Sequence, residues 1–533
     1  MAHFVIQNFG NGLDLRKSSE TALTGSLRVL ENAFINQGGE IEKRKAFVLD
    51  ETLTAYGQNA NYKGRITGPH ECPGYDNTVF FRHRHDSLPG WTAGAGSIAE
   101  YYEVGSQTLR FWAQKSTVTA TGLGALFHAE SYSEFSTNGY VVEGYLSNVT
   151  DDWDYDHVYV TFTDDEPTSE SEVAVNADRP FQMTLQTKGY VVRKRTMFAS
   201  AVGDPEDMTS GAGYGAVDLT TQSKPIGDAL SVAEYYGQLA IFGKKGVMFW
   251  TVDPDFALNQ YQRSIPTSVF SGRSVTGYGA GDVLYLARDG VRSLQARDSS
   301  NLAKVSDVGS AIDTVIEEAL DYSKSLEEKI NTSAVDVPNA DYYEKAVGAV
   351  HSASGQFWLC LKEKVYVLSS YPNAKVLGWS EFALPLPDPD NENTKTGFYK
   401  GAWVADICQI RETLVFRNYA DEVYIYGGPN GESYDDAKVV VETPYMDFQR
   451  PGYSKTFNGI DLVCTGSWDV YISLDSKNPE WELVANITDS SHAGDRISFD
   501  VSSTKIALRL ECRSQYNATL SQVVVYYNGN AEK

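Results

Sequence analysis

Positive charge is scarce in this chain: 45 Lys and Arg stand against 70 Asp and Glu in 533 residues, a formal net charge of −25 at pH 7. Such an excess keeps a protein dispersed, repels phosphate backbones and argues against a basic groove that grips nucleic acid. Cysteine is scarce too. Cys72, Cys360, Cys408, Cys464 and Cys512 are scattered and odd in number, with no Cys-x-x-Cys pair, so they read as buried free thiols made in a reducing compartment. No stretch approaches the roughly 20 apolar residues that cross a bilayer, and a membrane span is not expected. Residues 1–12 lack the basic start, apolar core and small-residue cleavage site of a secretory signal. Without secretion, the Asn-x-Ser/Thr matches at Asn148, Asn331, Asn486 and Asn517 are chance matches. Also missing are a phosphate-cradling Gly-Lys-Ser/Thr loop, a dinucleotide fingerprint, a His-Glu-x-x-His helix and a Gly-x-Ser-x-Gly elbow.

What the chain has in quantity is tyrosine (33), phenylalanine (23) and glycine (45), the composition of many short strands joined by tight turns. Its length allows two to four domains at roughly 100–200 residues each. Apolar residues flank a Gly38-Gly39 turn between Ala33 and Arg44, a hairpin signal. Short alternating runs follow at Val79–His83, Leu109–Trp112, Val158–Phe162 and Phe181–Leu185. Strand pairs then recur at Leu239–Trp250, Val283–Leu294 and Ala346–Leu368, the spacing of a propeller or a sandwich. One helix is expected at about 308–330, where Ile312, Val315, Ile316, Ala319, Leu320, Leu326 and Ile330 keep helical spacing and Ser310 and Asp313 stand as a capping-box-like start. The prolines at 385, 387 and 389 mark a polar loop. Longer alternating runs at Val470–Leu474, Ile506–Leu510 and Val523–Tyr527 mark a change of pattern near 435. The fold class expected is mainly β: a propeller-like core begun by 1–78 and continued by 197–434, an inserted β-rich domain at 79–196, and a separate C-terminal sandwich-like domain at 435–533.

Candidate chemistry is thin. Asp152, Asp154 and Asp156 alternate, an oxygen-rich spacing that suits calcium, but the glycine and distal Glu of an EF-hand are missing and a solvated acidic loop is the preferred reading. His83 and His85 share a strand face, with His70 and Cys72 upstream, an N/S set compatible with zinc; the interleaved Arg82, Arg84 and Asp86 suit a polar edge strand instead. Ser473, Asp475 and Trp481 faintly match the Asp-box turns of sialidase propellers, without the central glycine. No catalytic, cofactor-binding or metal residue is assigned, and no enzyme activity or cofactor is expected.

Three stretches resemble the nozzle, tail tubular or packaged-DNA stabilisation proteins of short-tailed bacteriophages. The first runs from Gly25-Ser26 through Asn32 and Gly38-Gly39 to Lys43-Arg44-Lys45, with Ala46-Phe47 where the family often has Pro-Gly. The second runs from Met197 to Ser200 and through Gly203-Asp204-Pro205 to Leu239–Phe242 and Val247–Trp250. The third joins Ser271-Gly272 to Gly281–Arg292 and the segment after Val308-Gly309-Ser310. The resemblance implies a virion tail subunit, synthesised in the host cytoplasm, assembled as a homohexameric ring below the portal and adaptor and beside tail fibres or tailspikes. Packaged DNA would pass through that ring without sequence-specific binding. Two other classes compete with it: a receptor- or glycan-binding tail module using exposed Tyr and Trp, and a polysaccharide hydrolase carried on a propeller.

Overall fold

The computed structural model describes most of residues 2–50, 185–222, 226–320 and 346–529 with their side chains, less 204–210, 253–260, 300–306, 386–402, 489–496 and a few single positions; between 65 and 175 it describes the backbone of eight strands. The strands are short because turn residues interrupt each apolar run, and they pair mostly with their chain neighbours. Five sheets follow one another as antiparallel meanders. The first blade is Gln182–Leu185, Lys188–Arg193, Thr196–Ala199 and Gly215–Asp218. The second is Ala229–Tyr235, Gln238–Gly243, Gly246–Thr251 and Gln260–Ile265. The third, among the described residues, has Thr276–Tyr278, Asp282–Ala287 and Gly290–Ser293. The fourth is Val347–His351, Gln356–Leu361, Lys364–Tyr371 and Val376–Ala383. The fifth takes Val404–Ile410, Thr413–Asn418 and Glu422–Tyr426 and is completed by Phe47–Thr52 from the far end of the chain.

Two more four-stranded sheets come from 65–175, and neighbouring strands link them into the series. Arg65–Glu71 runs beside Val404–Ile410, Gly124–Tyr132 beside Ile98–Val104, and Ser171–Val175 beside Gln182–Leu185. Successive meanders closed by a strand from the other terminus make a β-propeller, and the chain is mainly β as its composition implies.

The remaining strands form a two-layer sandwich. One layer joins Ala33–Ile35, Ile41–Lys43, Thr519–Gly529, Lys455–Thr465 and Ile497–Ser503, with Ala2–Ile6 on the far part of Thr519–Gly529. The other joins Val29–Glu31, Val439–Glu442, Ala507–Cys512, Trp468–Ser473 and Glu482–Ile487. Between them Phe457, Ile460, Leu462, Leu508, Leu510, Val523 and Val525 are fully buried. Cys512 lies in this core, where burial pushes its thiol up to about 11, and Cys360 is fully buried in the fourth blade; both are free thiols that stay protonated at neutral pH.

Three expected domain boundaries are corrected. Residues 2–43 do not begin the propeller: their strands complete the sandwich, where Ile6 is buried and Phe4 packs 4.7 Å from Phe448. The division at 196/197 cuts the first blade, because Lys188–Arg193 pairs with Thr196–Ala199. Nor is 435–533 a separate unit. Val29–Glu31 pairs with Val439–Glu442 on one edge and, through Glu31 and Glu381, with the outer strand of the fourth blade on the other, giving one continuous nine-stranded sheet.

Ser310 and Asp313 are corrected as well. The helix runs over 313–320 within the described residues, buries Ile312, Ile316 and Leu320, and lacks the capping box: the Ser310 amide donates to the Asp307 carbonyl, and Asp313 turns to Arg292. Asp152, Asp154, His85 and Cys72 lie outside the described residues, as do the side chains of His70, His83 and Asp156.

Candidate functional site: the joint between propeller and sandwich

The chain crosses between the two domains twice here, and the crossings lie side by side. Residues 44–46 lead from Ile41–Lys43 in the sandwich to Phe47–Thr52 in the fifth blade, and residues 427–438 lead back from Glu422–Tyr426 to Val439–Glu442. The Ala46 amide donates to the Ser433 carbonyl at 2.8 Å, and the Gly427 amide donates to the Ala46 carbonyl at 2.7 Å.

The basic run Lys43-Arg44-Lys45 stitches these strands together instead of facing water. Lys43 Nζ donates to the Ala437 carbonyl at 2.6 Å, and burial pushes its ammonium below its usual range. Arg44 Nη1 donates to Asp435 Oδ2 at 2.7 Å and to the Lys45 carbonyl at 2.8 Å, while its guanidinium lies 4.4 Å from the centre of the Phe47 ring. Its side chain is 4% exposed. Lys45 Nζ donates to the Gly431 carbonyl, and the Lys45 amide donates to Tyr426 Oη. Phe47 then meets Phe416 and Trp358 edge-on, so the strand that completes the fifth blade also touches the fourth.

Asn32 is the centre of the joint. It turns the chain between Val29–Glu31 and Ala33–Ile35 with φ +56°, a left-handed conformation that asparagine tolerates better than other side chains. Its amide donates to the Glu381 carbonyl at 2.8 Å. Its Oδ1 accepts from the Ala383 amide at 3.0 Å and from Arg44 Nε at 3.1 Å, and its Nδ2 donates to the Lys438 carbonyl at 2.8 Å. One buried side chain thus holds the outer strand of the fourth blade and both crossings.

A second polar cluster pins the helix to the third blade, which has three strands among the described residues. Arg292 is 0% exposed; Nη1 donates to Asp313 Oδ1 at 2.7 Å and the Val291 carbonyl at 2.8 Å, and Nη2 donates to Asp313 Oδ2 at 3.0 Å and to the Asp289 carbonyl. Asp307 takes the place of a pairing strand. Its Oδ1 accepts from the Ser293 amide at 3.0 Å, and its Oδ2 accepts from Arg297 Nε at 2.9 Å. Burial pushes the Asp307 carboxyl above its ordinary value, against the pull of these donors and the two arginines. Gly290, at φ +119°, has no room for a side chain: a Cβ there would lie 2.0 Å from Asp313 Oδ1.

The fourth and fifth blades are tied by a histidine. His351 Nε2 lies 3.0 Å from the Glu412 carbonyl oxygen and Nδ1 lies 2.6 Å from Ser354 Oγ. With Nε2 donating to that carbonyl, Nδ1 accepts from the serine, and burial pushes the imidazole below its ordinary value, which keeps it neutral at physiological pH. Ser352 and Gln409 exchange two hydrogen bonds of 2.6 Å beside it.

The sequence pattern singled out Asn32, Lys43-Arg44-Lys45 and the stretch containing Arg292, and the structure gives each a place at a joint. It missed Asp307 and Asp435 as partners, which no local signal marks, and read Asp313 as a helix cap where the structure pairs it with Arg292. Among the described residues no group of three His, Cys, Asp or Glu is placed to hold a metal ion, and no helix is long and apolar enough to cross a membrane.

No family model matches the chain, and no curated protein matches it. Solved structures that resemble it include an exo-β-1,3-galactanase from Phanerochaete chrysosporium, at 11% identity over 80% of this chain and 95% of that one, with a TM-score of 0.19. Another is BamB from Moraxella catarrhalis, at 10% identity over 63% and 98%, with a TM-score of 0.24. A family 29 carbohydrate-binding module matches 22% of this chain and 74% of its own, at 12% identity and a TM-score of 0.12. Likeness of this size carries no argument about activity or ligand.

Proposed function

We propose that this chain is a structural, non-enzymatic subunit of a short-tailed phage tail, a ring-shaped hub or nozzle below the portal and adaptor that retains packaged DNA and conducts it at ejection. The observation that supports the reading is where the family-like residues fall. The first stretch, Gly25 to Lys45, builds the joint around Asn32 and Arg44. In the second, Ser200 Oγ accepts from the Gly189 amide at 2.8 Å beside the strand Thr196–Ala199 of the first blade. In the third, Ser271 Oγ donates to the Ala346 carbonyl, joining third and fourth blades, and Arg292 pins the helix. A protein whose recognisable residues tie strands, blades and domains to one another suits a force-transmitting ring better than a turnover site.

Depleting the chain from an infection tests this. Particles that package DNA and then lose it, with retention restored by a complementing copy, are the expected result. Particles that keep their DNA and fail only in adsorption would overturn the reading in favour of a receptor-binding module.

A further inference from the structure

The turns between the second and third strands of four successive blades carry basic residues: Arg195 in the first, Lys244-Lys245 in the second, Arg288 in the third and Lys362 in the fourth. These turns lie at one end of the sheets. The Val269 amide donates to the Gly243 carbonyl and the Arg288 amide donates to Ser268 Oγ, so the second and third turns share one loop. Asp228 joins the first and second, 3.5 Å from Arg195 Nε and 3.4 Å from Lys244 Nζ. The turns between first and second strands lie at the opposite end. They read Gln186-Thr187, Tyr236-Gly237, Gly279-Ala280-Gly281 and Ser352-Ala353-Ser354-Gly355, without a Lys or Arg. Asp289 and Glu363 share two of the basic turns, and Lys375 stands in the third-to-fourth turn of the fourth blade. Yet among the described residues the second-to-third turns of these four blades, on one rim of the propeller, carry five Lys or Arg and the first-to-second turns carry none.

We infer that this rim is a phosphate-contacting surface for duplex DNA. Arg195, Lys244, Lys245 and Arg288 are exposed, and Lys245 and Arg288 make no ion pair among the described residues. Lys362 is held at φ +57°, where glycine or asparagine would be less strained, so a basic side chain stands at that tip despite its backbone cost. None of the large exposed hydrophobic residues lies in these turns. Stable protein interfaces are built around buried aromatic or aliphatic anchors and are depleted in lysine, whereas a phosphate backbone is met by spaced, hydrated point charges. The arc has the second composition. Contacts to phosphate alone read no sequence, and the surrounding acidic surface keeps them weak and salt-sensitive.

The choice of DNA as the polyanion rests on the tail reading, but the test does not depend on where the chain sits in a virion. Fluorescence anisotropy with the full chain and two 30-base-pair duplexes of unrelated sequence, titrated with salt, reads the contact directly. The rim variant Lys244→Gln/Lys245→Gln/Arg288→Gln should bind both duplexes about tenfold more weakly than wild type, with a salt slope reduced by about 2–3. The charge-matched variant Gln186→Glu/Ala280→Glu/Ala353→Glu changes net charge equally at the opposite turns and should bind within about twofold of wild type, since screening at working salt confines each charge to its surroundings. Unchanged melting temperatures show that both variants fold. Equal losses in the two variants, or no binding by wild type at low salt, would overturn the inference and leave the tail assignment to its own test.

Discussion

Arg292→Ala should destabilise the propeller by about 3–5 kcal/mol, the range for removing one partner of a buried ion pair. The side chain is 0% exposed and serves both Asp313 and the backbone of its own turn, so alanine leaves a cavity and strips the carboxylates of a counter-charge. Asp307, whose side chain is also 0% exposed, would then keep its backbone donors and Arg297 but lose the nearby charge of Arg292. Because Asp313 opens the helix over 313–320, the first consequence is local: amide exchange there should rise before the propeller blades unfold. Arg292→Met, which fills most of the volume, should recover part of the packing but none of the pairing. A guanidinium-chloride midpoint unchanged in Arg292→Ala would show that the cluster is not what holds the helix.

Asn32→Ala should cost about 3–4 kcal/mol and split thermal unfolding into two transitions. Three partners lose a hydrogen bond at once: the buried Arg44 Nε and the half-buried Ala383 amide and Lys438 carbonyl. Groups left unsatisfied in the interior cost about 1–3 kcal/mol each, partly relieved by relaxation. Alanine at φ +56° adds about 1–2 kcal/mol of backbone strain that glycine would not. Asn32→Gly should therefore be milder than Asn32→Ala while still weakening the joint, and the difference between them isolates the backbone contribution. Differential scanning calorimetry reads both quantities. A single transition at the wild-type midpoint would mean that the continuous nine-stranded sheet holds the domains together without Asn32.

The strands were legible in the sequence because their information is local. The alternation and turn residues of Leu239–Trp250 and Val283–Leu294 specify hairpins wherever those hairpins lie, and the structure pairs Gln238–Gly243 with Gly246–Thr251 as the pattern requires. Partnership at long range was not legible. Nothing in Ala2–Ile6 says that it will pair with Val523–Tyr527 at the other end of the chain. The same holds for the joint. Lys43 and Arg44 find acceptors on residues nearly 400 positions away, which no local pattern announces. Asp313 stood at a capping position, and a charged partner 21 residues upstream took it instead. A sum of charge over the whole chain likewise says nothing of where the charges fall: the basic turns are visible only once turns are sorted by the end of the sheet they occupy.

An image of assembled tails at a resolution that places this subunit tests the central claim most directly. Six copies around an axial channel beneath the adaptor, with propeller and sandwich held as one body by the Asn32 joint, is the arrangement expected. A peripheral position with three copies, at the tips of fibres or spikes, would contradict it.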